Sequence, residues 1–416
     1  MKITEIERMK RPIKVLQFGG GVFLRGFFDW MLAKANACGA YCGNAVIVRA
    51  KTRGEDPLAG QNFMYTHVAR DGEHSDVTLV DCIEGSIDPA NDPEGFFALA
   101  VEPSLEMGVS NTTEAGIVYV SCDRPEGVVP ESFPARLAQA LYHRFSAGLS
   151  GLLILPCELI EDNGDTLRDI VLRHAADWEL GDDFAAYVKE QCAFRNTLVD
   201  RIVSGAPQEA IDLPYEDALV NTSEYFHLFV IEGEEDPRLP FLSAGINVKW
   251  VPRLADYRTL KVRILNGAHT SMIPHAMLRG IETVGDCMAD AEMRAFLSGC
   301  LSEILPTLDF DAEEARAYAD ETLRRFENPH IRHLCAAISL NSVAKFRVRV
   351  LPSIVAYREK FGTVPPHLAA SFDYLVSFYQ TGTPRDDEAV IASMKRPREE
   401  ILADETLWGM DLTGIL

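Results

Sequence analysis

Apolar residues in the N-terminal half of the chain fall in short runs separated by stretches of helical periodicity. Ile13–Phe18 (I-K-V-L-Q-F) reads as a strand, Gly19-Gly20-Gly21 interrupts it, residues 23–34 read as a helix and residues 45–48 as the next strand. That order is a βαβ unit. Residues 117–121 and 152–156 read as further strands with a helix over 130–145 between them, as a parallel sheet with crossover helices requires. From 224 to 251 the period shortens to two (Phe226, Leu228, Val230, then Ile246, Val248, Trp250), which predicts an added hairpin or sheet extension. Beyond Tyr257 the pattern is helical almost to the end, with runs near 288–305, Ala312–Phe326, 331–340, 344–361 and 386–402, broken at Pro306, Pro329, Pro365 and Pro366. The pattern predicts an α/β chain: a doubly wound dinucleotide-binding domain with a β extension over 1–255, then an all-α domain over 256–416. There is no internal repeat and no low-complexity segment.

Composition narrows the functional classes. With 416 residues and 47% hydrophobic content the chain can bury a large core. Its 62 acidic and 40 basic residues give a formal charge of -22, which repels nucleic acid and anionic membrane surfaces over most of the exterior. An anionic ligand must therefore meet a local basic pocket. The nine cysteines show no C-x-x-C pair and no zinc-ligand spacing. They read as reduced thiols of a cytoplasmic protein. The N-terminus is charged, and no apolar run approaches the roughly 20 residues a membrane helix needs.

The glycine turn carries the first candidate chemistry. Glycines at 19 and 21 directly after a strand let the backbone approach a pyrophosphate, whose charge then meets the N–H groups opening the next helix. The turn departs from G-x-G-x-x-G, because Leu24 stands where the third glycine would be and Gly26 follows Arg25. Arg25 could pair with a phosphate or sit in a surface ion pair. At the end of the second strand, where an acidic residue usually grips the ribose of NAD, the chain has Arg49, Lys51 and Arg53. That charge by itself favours a 2'-phosphate.

The second candidate is K-V-R-I-L-N-G-A-H, starting at Lys261. On an α-helix Asn266 and His269 are i and i+3 neighbours, and Lys261 lies within roughly a quarter turn of His269. An ammonium withdrawn from water passes a proton to or from an alcohol oxygen more readily, and an amide N–H can steady an oxyanion. The same pattern also suits an amphipathic helix start with a solvated lysine.

Five ordered blocks decide between these readings. They are Q-F-G-G-G-V-F-L-R-G-F-F-D-W from Gln17, S-N-T-T-E-A-G-I from Ser110, P-C-E-L-I-E-D-N-G from Pro156, N-T-L-V-D-R-I from Asn196 and K-V-R-I-L-N-G-A-H-T from Lys261. In order and over nearly the whole chain they resemble the polyol-specific long-chain dehydrogenases, the mannitol dehydrogenase family, and within it the members that act on hexuronates. The resemblance implies a Rossmann-type N-terminal domain, a helical C-terminal domain, NAD as cofactor and hydride transfer without a metal. It makes Lys261 the general acid–base, gives Asn196 and Asn266 the reacting oxygen and has His269 position the substrate. It assigns Gly19, Gly21, Phe23 and Arg25 to the cofactor turn, Thr113 and Glu114 to the segment beside the nicotinamide ribose, and Asp200 to an acidic position close to the catalytic groups. Arg49 joins the expected cofactor residues by its place at the strand end, and Asp200 is the expected substrate contact unless it only pairs with Arg201.

A sugar-acid substrate demands a cation. Arg332, His333, Lys345, Arg347 and Arg349 are the densest basic group in this acidic chain. Lys345 and Arg349, at i and i+4, share a helix face that Arg347 does not. Arg332, Lys345 and Arg349 are therefore the expected carboxylate partners, since a guanidinium suits bidentate recognition. The expected ligands are thus NAD and a small sugar acid, with no nucleic acid, membrane or metal, in a monomer or small homo-oligomer. A neutral polyol substrate and a nucleotide sensor without turnover stay open alternatives. A serine-hydrolase elbow is absent from the sequence.

Overall fold

Strand β1 (Ile13–Phe18) sends alternate side chains to opposite faces of a parallel sheet, and both faces are covered. Its sheet has the order β5-β2-β1-β6-β7-β8, built from β2 (Asn44–Val48), β5 (Ile83–Ile87), β6 (Met107–Ser110), β7 (Leu153–Pro156) and β8 (Ala193–Phe194). All five pairings are parallel. Every residue of β2, β6 and β7 is buried, as strands covered on both sides must be. The computed structural model describes residues 1–49, 54, 56–112, 116–124, 129–207 and 209–416.

One face packs Val15, Ala45, Ile47, Val109 and Leu155 against Leu24, Phe28 and Met31 from helices α1 (Val22–Gly26) and α2 (Phe28–Ala37) and Phe27 between them. The other packs Leu16, Phe18, Val46, Val48 and Ile154 against α3 (Pro93–Ala100), α4 (Phe133–Ser146) and α5 (Asn163–Asp177); α6 (Asp182–Glu190) completes this layer. The expected helix over 23–34 is two helices, because Phe27 leaves the helical region at φ -126°, ψ -84°.

The strand expected at 117–121 is not one. The fourth strand of this sheet in chain order is β6, and 117–121 is irregular, with Val118 44% exposed. Gly108 disguised β6: a Cβ there would sit 2.8 Å from the Ile154 side chain, so close strand packing demands the residue that erases the apolar signal. Two smaller sheets form the β extension. One has the order β10-β11-β3-β4, from β3 (Tyr65–Arg70), β4 (Ser75–Val80), β10 (Val203–Gly205) and β11 (Asn221–Glu224). The other has the order β13-β12-β9, from β9 (Thr197–Asp200), β12 (Leu228–Glu232) and β13 (Val248–Val251). The hairpin expected over 224–251 is corrected here: β12 and β13 run parallel, which requires a crossover connection and not a tight turn.

The chain divides into two compact units, Met1–Leu254 and Ala255–Leu416. The second is helical: α7 (Leu254–Leu260), a π-helical turn Lys261–Asn266, then α8 (Gly267–Leu278), α9 (Val284–Ala289), α10 (Ala291–Ile304), α11 (Ala312–Phe326), α12 (Cys335–Ile338), α13 (Ser342–Arg349), α14 (Leu351–Phe361) and α15 (Pro366–Thr381), followed by three shorter helices. Residues 267–276 of α8 are all buried, so α8 is the core helix of this unit and packs on α10 and α15. The helix expected over 331–340 shrinks to the single turn α12, and the one expected over 344–361 breaks at Val350, ahead of Pro352. The helix expected over 386–402 is likewise two short pieces, Glu388–Ser393 and Arg398–Leu402.

Candidate active site

In the first unit β1 lies between β2 and β6, so the order of the chain across the sheet reverses at β1, and ligands of such sheets bind beyond the carboxyl ends of the strands at that point. The glycine turn is there. Gly19 has φ +106°, a conformation open to glycine, and a Cβ on it would lie 2.9 Å from the Asn111 carbonyl oxygen. Gly21 begins α1, and a Cβ there would meet no atom within 4 Å. The backbone is thus uncovered where a pyrophosphate would approach. These residues fit a dinucleotide.

Their surroundings are tied by hydrogen bonds. Glu158, beyond β7, accepts hydrogen bonds from Ser110 Oγ at 3.0 Å, Thr112 N at 2.9 Å and Thr112 Oγ1 at 3.0 Å. Burial raises its pKa and these donors oppose the rise. Glu158 therefore holds Ser110 and Thr112; Thr113 and Glu114 lie outside the described residues. A cavity of about 800 Å³ opens beyond the end of β5 between the starts of α3 and α4, lined by Pro89, Pro93, Val120, Asp123 and Arg136 among others.

Arg25 makes no ion pair among the described residues. Its guanidinium lies over the Tyr65 ring, 5.6 Å from the centroid, and its buried Nε has no hydrogen-bond partner. Below it, Asp29 is fully buried, and burial raises its pKa to about 7 against the pull of Gln17, Arg25 and Tyr65. Phe23 stacks on Phe27 with ring centroids 5.1 Å apart. Arg49 donates from Nη2 to the Gly54 carbonyl at 3.0 Å; Lys51 and Arg53 lie outside the described residues.

Asn196, expected at the reacting oxygen, is engaged at both ends of its amide. Its Oδ1 accepts from Asp165 N at 3.0 Å, and its Nδ2 donates to Asp165 Oδ2 at 2.9 Å and to Glu232 Oε1 at 3.3 Å. Both N–H groups are directed to carboxylates, so Asn196 positions Glu232 in this structure. Asp200 is buried at the end of β9, opposite Leu228. Its neighbour Arg201 donates to the carbonyls of Gly26 and Glu224 at 2.8 and 3.1 Å.

In the second unit the expected α-helical spacing of Lys261, Asn266 and His269 is corrected. Lys261–Asn266 is π-helical, and a π turn closes i to i+5. Five α-helical steps would advance about 500° and leave Lys261 and Asn266 about 140° apart; the π turn brings them to one side. Arg263 ties this turn down through Nε to Ser353 Oγ at 2.6 Å. The Asn266 side-chain amide makes no hydrogen bond to the described residues, while its carbonyl accepts from Thr270 Oγ1 at 2.8 Å.

His269 is 6% exposed and stacks on Phe326, with ring centroids 4.1 Å apart. The His333 ring meets it edge-on at 5.0 Å. Burial, then the charges of His333, Arg325, Arg349 and Lys345, hold its pKa well below the ordinary value. His269 is therefore neutral at neutral pH, and its buried Nε2 has no hydrogen-bond partner. Arg349 reaches toward Thr270 Oγ1 at 3.5 Å, and Lys345 donates to the Ile338 carbonyl at 2.8 Å. Burial lowers the pKa of both. Arg332 does not join them: its side chain is 58% exposed and faces Glu282 at 3.4 Å. Arg325, 6% exposed on α11, belongs to this cluster and escaped the sequence reading because Arg324 and Arg325 look alike in sequence and only the helix phase buries one of them. Glu158 escaped it too, as one carboxylate among many. Among the described residues no group of three His, Cys, Asp or Glu side chains could hold a metal ion, and no helix is long and apolar enough to cross a membrane.

A doubly wound parallel sheet with a glycine turn at its reversal point, joined to a helical unit bearing an amine, an amide and an imidazole, defines a nicotinamide-dependent oxidoreductase of CH–OH groups. The mannitol dehydrogenase Rossmann domain matches residues 13–240 and the mannitol dehydrogenase C-terminal domain matches residues 253–413. The chain belongs to the mannitol dehydrogenase family. It is 40% identical to the altronate oxidoreductase of Bacillus subtilis (strain 168), over 97% of this chain and 90% of that protein. It is 39% identical to the altronate oxidoreductase of Pectobacterium atrosepticum, over 92% and 82%. Its fold matches the crystal structure of D-sorbitol dehydrogenase in substrate-free form with a TM-score of 0.81 at 20% identity, covering 97% of this chain and 91% of that one. It also matches Pseudomonas fluorescens mannitol 2-dehydrogenase, in a ternary complex with NAD and D-mannitol, with a TM-score of 0.70 at 18% identity, covering 98% and 89%.

Proposed function

We propose that this protein is a ketohexuronate reductase that interconverts D-tagaturonate and D-altronate with NADH and NAD, without a metal. The observation that carries the reading is the cluster around His269: a neutral imidazole with an uncommitted nitrogen, set among Arg325, Lys345 and Arg349 in a chain of charge -22. A carboxylate has reason to bind there, and a neutral polyol does not need it. The relatives named altronate oxidoreductase support the same substrate.

A bound reduced nicotinamide supplies a hydride. Lys261 gives a proton to the carbonyl oxygen in reduction and takes one from the hydroxyl in oxidation. Asn266, on the same side of the π turn, donates its free amide N–H to the charge that develops on that oxygen. His269 orients a substrate hydroxyl through Nε2. In the first unit Asn196 holds the Glu232 carboxylate and, with Asp200, is assigned to substrate recognition. Gly19, Gly21, Phe23, Arg25 and Arg49 hold the cofactor with Thr113 and Glu114, and the cavity beside Arg136 suits its adenosine end. Initial rates with tagaturonate, fructuronate and fructose, each with NADH and NADPH, test the reading. Tagaturonate with NADH should give the highest kcat/KM; fructuronate or fructose in first place would overturn the substrate assignment.

A further inference from the structure

Two buried thiols in the second unit have no part in this mechanism, and they face each other. Cys287 on α9 and Cys335 on α12 are 0% exposed, 48 residues apart in sequence, with their sulfurs 3.9 Å apart. Their backbones are stitched together. Val284 N donates to the His333 carbonyl at 3.0 Å and Cys335 N to the Glu282 carbonyl at 2.9 Å, while the Thr283 and Asp286 side chains cap the start of α9. The scaffold therefore holds the sulfurs close before any oxidation. The flanking residues Leu334, Ala336 and Ala337 are exposed, so opening the single turn α12 admits a water-sized oxidant.

We propose that Cys287 and Cys335 form a redox-active pair that hydrogen peroxide closes to a disulfide, and that closure displaces His333 from His269. Cys287 is the attacking sulfur: its pKa is lowered by the hydrogen bond from Cys335, whose own is raised. The Cys287 thiolate attacks one peroxide oxygen; an S–O bond forms, the O–O bond breaks, and the departing hydroxide takes up the thiol proton as water. The Cys335 sulfur then attacks the Cys287 sulfur; the S–S bond forms, the S–O bond breaks, and the second oxygen leaves as water with the Cys335 proton. Two thiols lose two electrons to one peroxide, giving one disulfide and two waters. The sulfurs must close from 3.9 Å to about 2.0 Å, which pulls residues 333–335 toward α9. His333 lies on that segment, with its ring edge-on to His269.

The expected effect on substrate rests on the functional reading above; the covalent step does not. The full-length chain is treated with hydrogen peroxide, unfolded, alkylated and digested, and the peptides are weighed. A cross-linked pair containing Cys287 and Cys335, two hydrogens lighter than the sum of the free peptides and lost on dithiothreitol treatment, supports the proposal. Recovery of both residues alkylated, while the exposed Cys38, Cys42 and Cys122 are oxidised, overturns it. The KM for tagaturonate should rise on the order of tenfold on oxidation, the scale of one lost hydrogen-bonding contact, and dithiothreitol should reverse it. Cys335→Ser, which keeps the exposed thiols, should show no such change. A cross-link with unchanged KM overturns the displacement of His333, and a chain that forms the cross-link yet does not reduce tagaturonate points to a failure of the substrate assignment alone.

Discussion

At the scale of single residues, Lys261 is separable from the groups around it. Lys261→Ala should lower kcat by about two to four orders of magnitude, the value of positioned acid–base help, while NADH affinity measured by fluorescence titration stays near wild type. A variant that turns over at the normal rate would remove Lys261 from the chemistry. The cations make a sharper comparison because they differ in placement. Arg349, half-buried beside Thr270, should matter for the acid: loss of a charged hydrogen-bond partner costs about 1.5–3 kcal/mol, so Arg349→Ala should lose roughly 10- to 100-fold in kcat/KM for tagaturonate and little for fructose. Arg332, exposed against Glu282, should change neither, since exposed pairs contribute little. Equal losses for both substrates in Arg349→Ala would make that residue a support of the fold.

At the scale of elements, α1 is held in place by what its glycines exclude. A Cβ on Gly26 would lie 2.6 Å from Val203 Cγ1 and 3.0 Å from His67 Cε1, whereas one on Gly21 meets nothing. Gly26→Ala should therefore cost about 1–3 kcal/mol of stability by overpacking and lower Tm, while Gly21→Ala should leave Tm unchanged and raise the Kd for NADH. The reverse pattern in thermal melts and cofactor titrations would show that the turn is not the pyrophosphate seat. Asp29 on α2 adds a pH dependence. With its pKa raised from 3.8 to about 7, the folded state keeps a proton that the unfolded chain has lost between these values, so Asp29 makes stability fall as pH rises through that window. Asp29→Asn should flatten this fall between about pH 4 and pH 7 in denaturant titrations. An unchanged slope would mean that Asp29 titrates as an ordinary carboxyl.

At the scale of the whole molecule, cofactor choice sets a local charge against the chain's overall kinship. Arg49 stands where an acid would grip the ribose, yet its guanidinium donates to the Gly54 carbonyl and so has an occupation of its own. NADH should be the better reductant. A preference for NADPH of about tenfold or more in kcat/KM, roughly 1.4 kcal/mol, would reverse that conclusion. The acidic exterior matters here as well: at -22 the protein gains nothing from long-range attraction of a sugar acid, so recognition of the carboxylate falls to the few cations gathered around His269.

The sequence by itself determined the parts written in local pattern. Strands β2 and β7 are almost wholly apolar because both of their faces are covered, and β1 is too apart from Lys14 and Gln17; α11 carries its full period, and the glycine turn needs glycine wherever it occurs. The residues of the candidate site also lie in short motifs that can be read without a structure. Only the tertiary structure decided the rest. Gly108 hid β6, since the close approach of Ile154 removed the very side chain that would have marked a strand. Pro365 and Pro366 concealed α15, the longest helix, because proline ends a helix when it lies inside and starts one when it stands at the first turn. The π turn that aligns Lys261 with Asn266 inserts a residue without changing composition. Which arginine of a pair is buried, as Arg325 is and Arg324 and Arg332 are not, depends on helix phase and on what packs across from it, and no single segment carries that information.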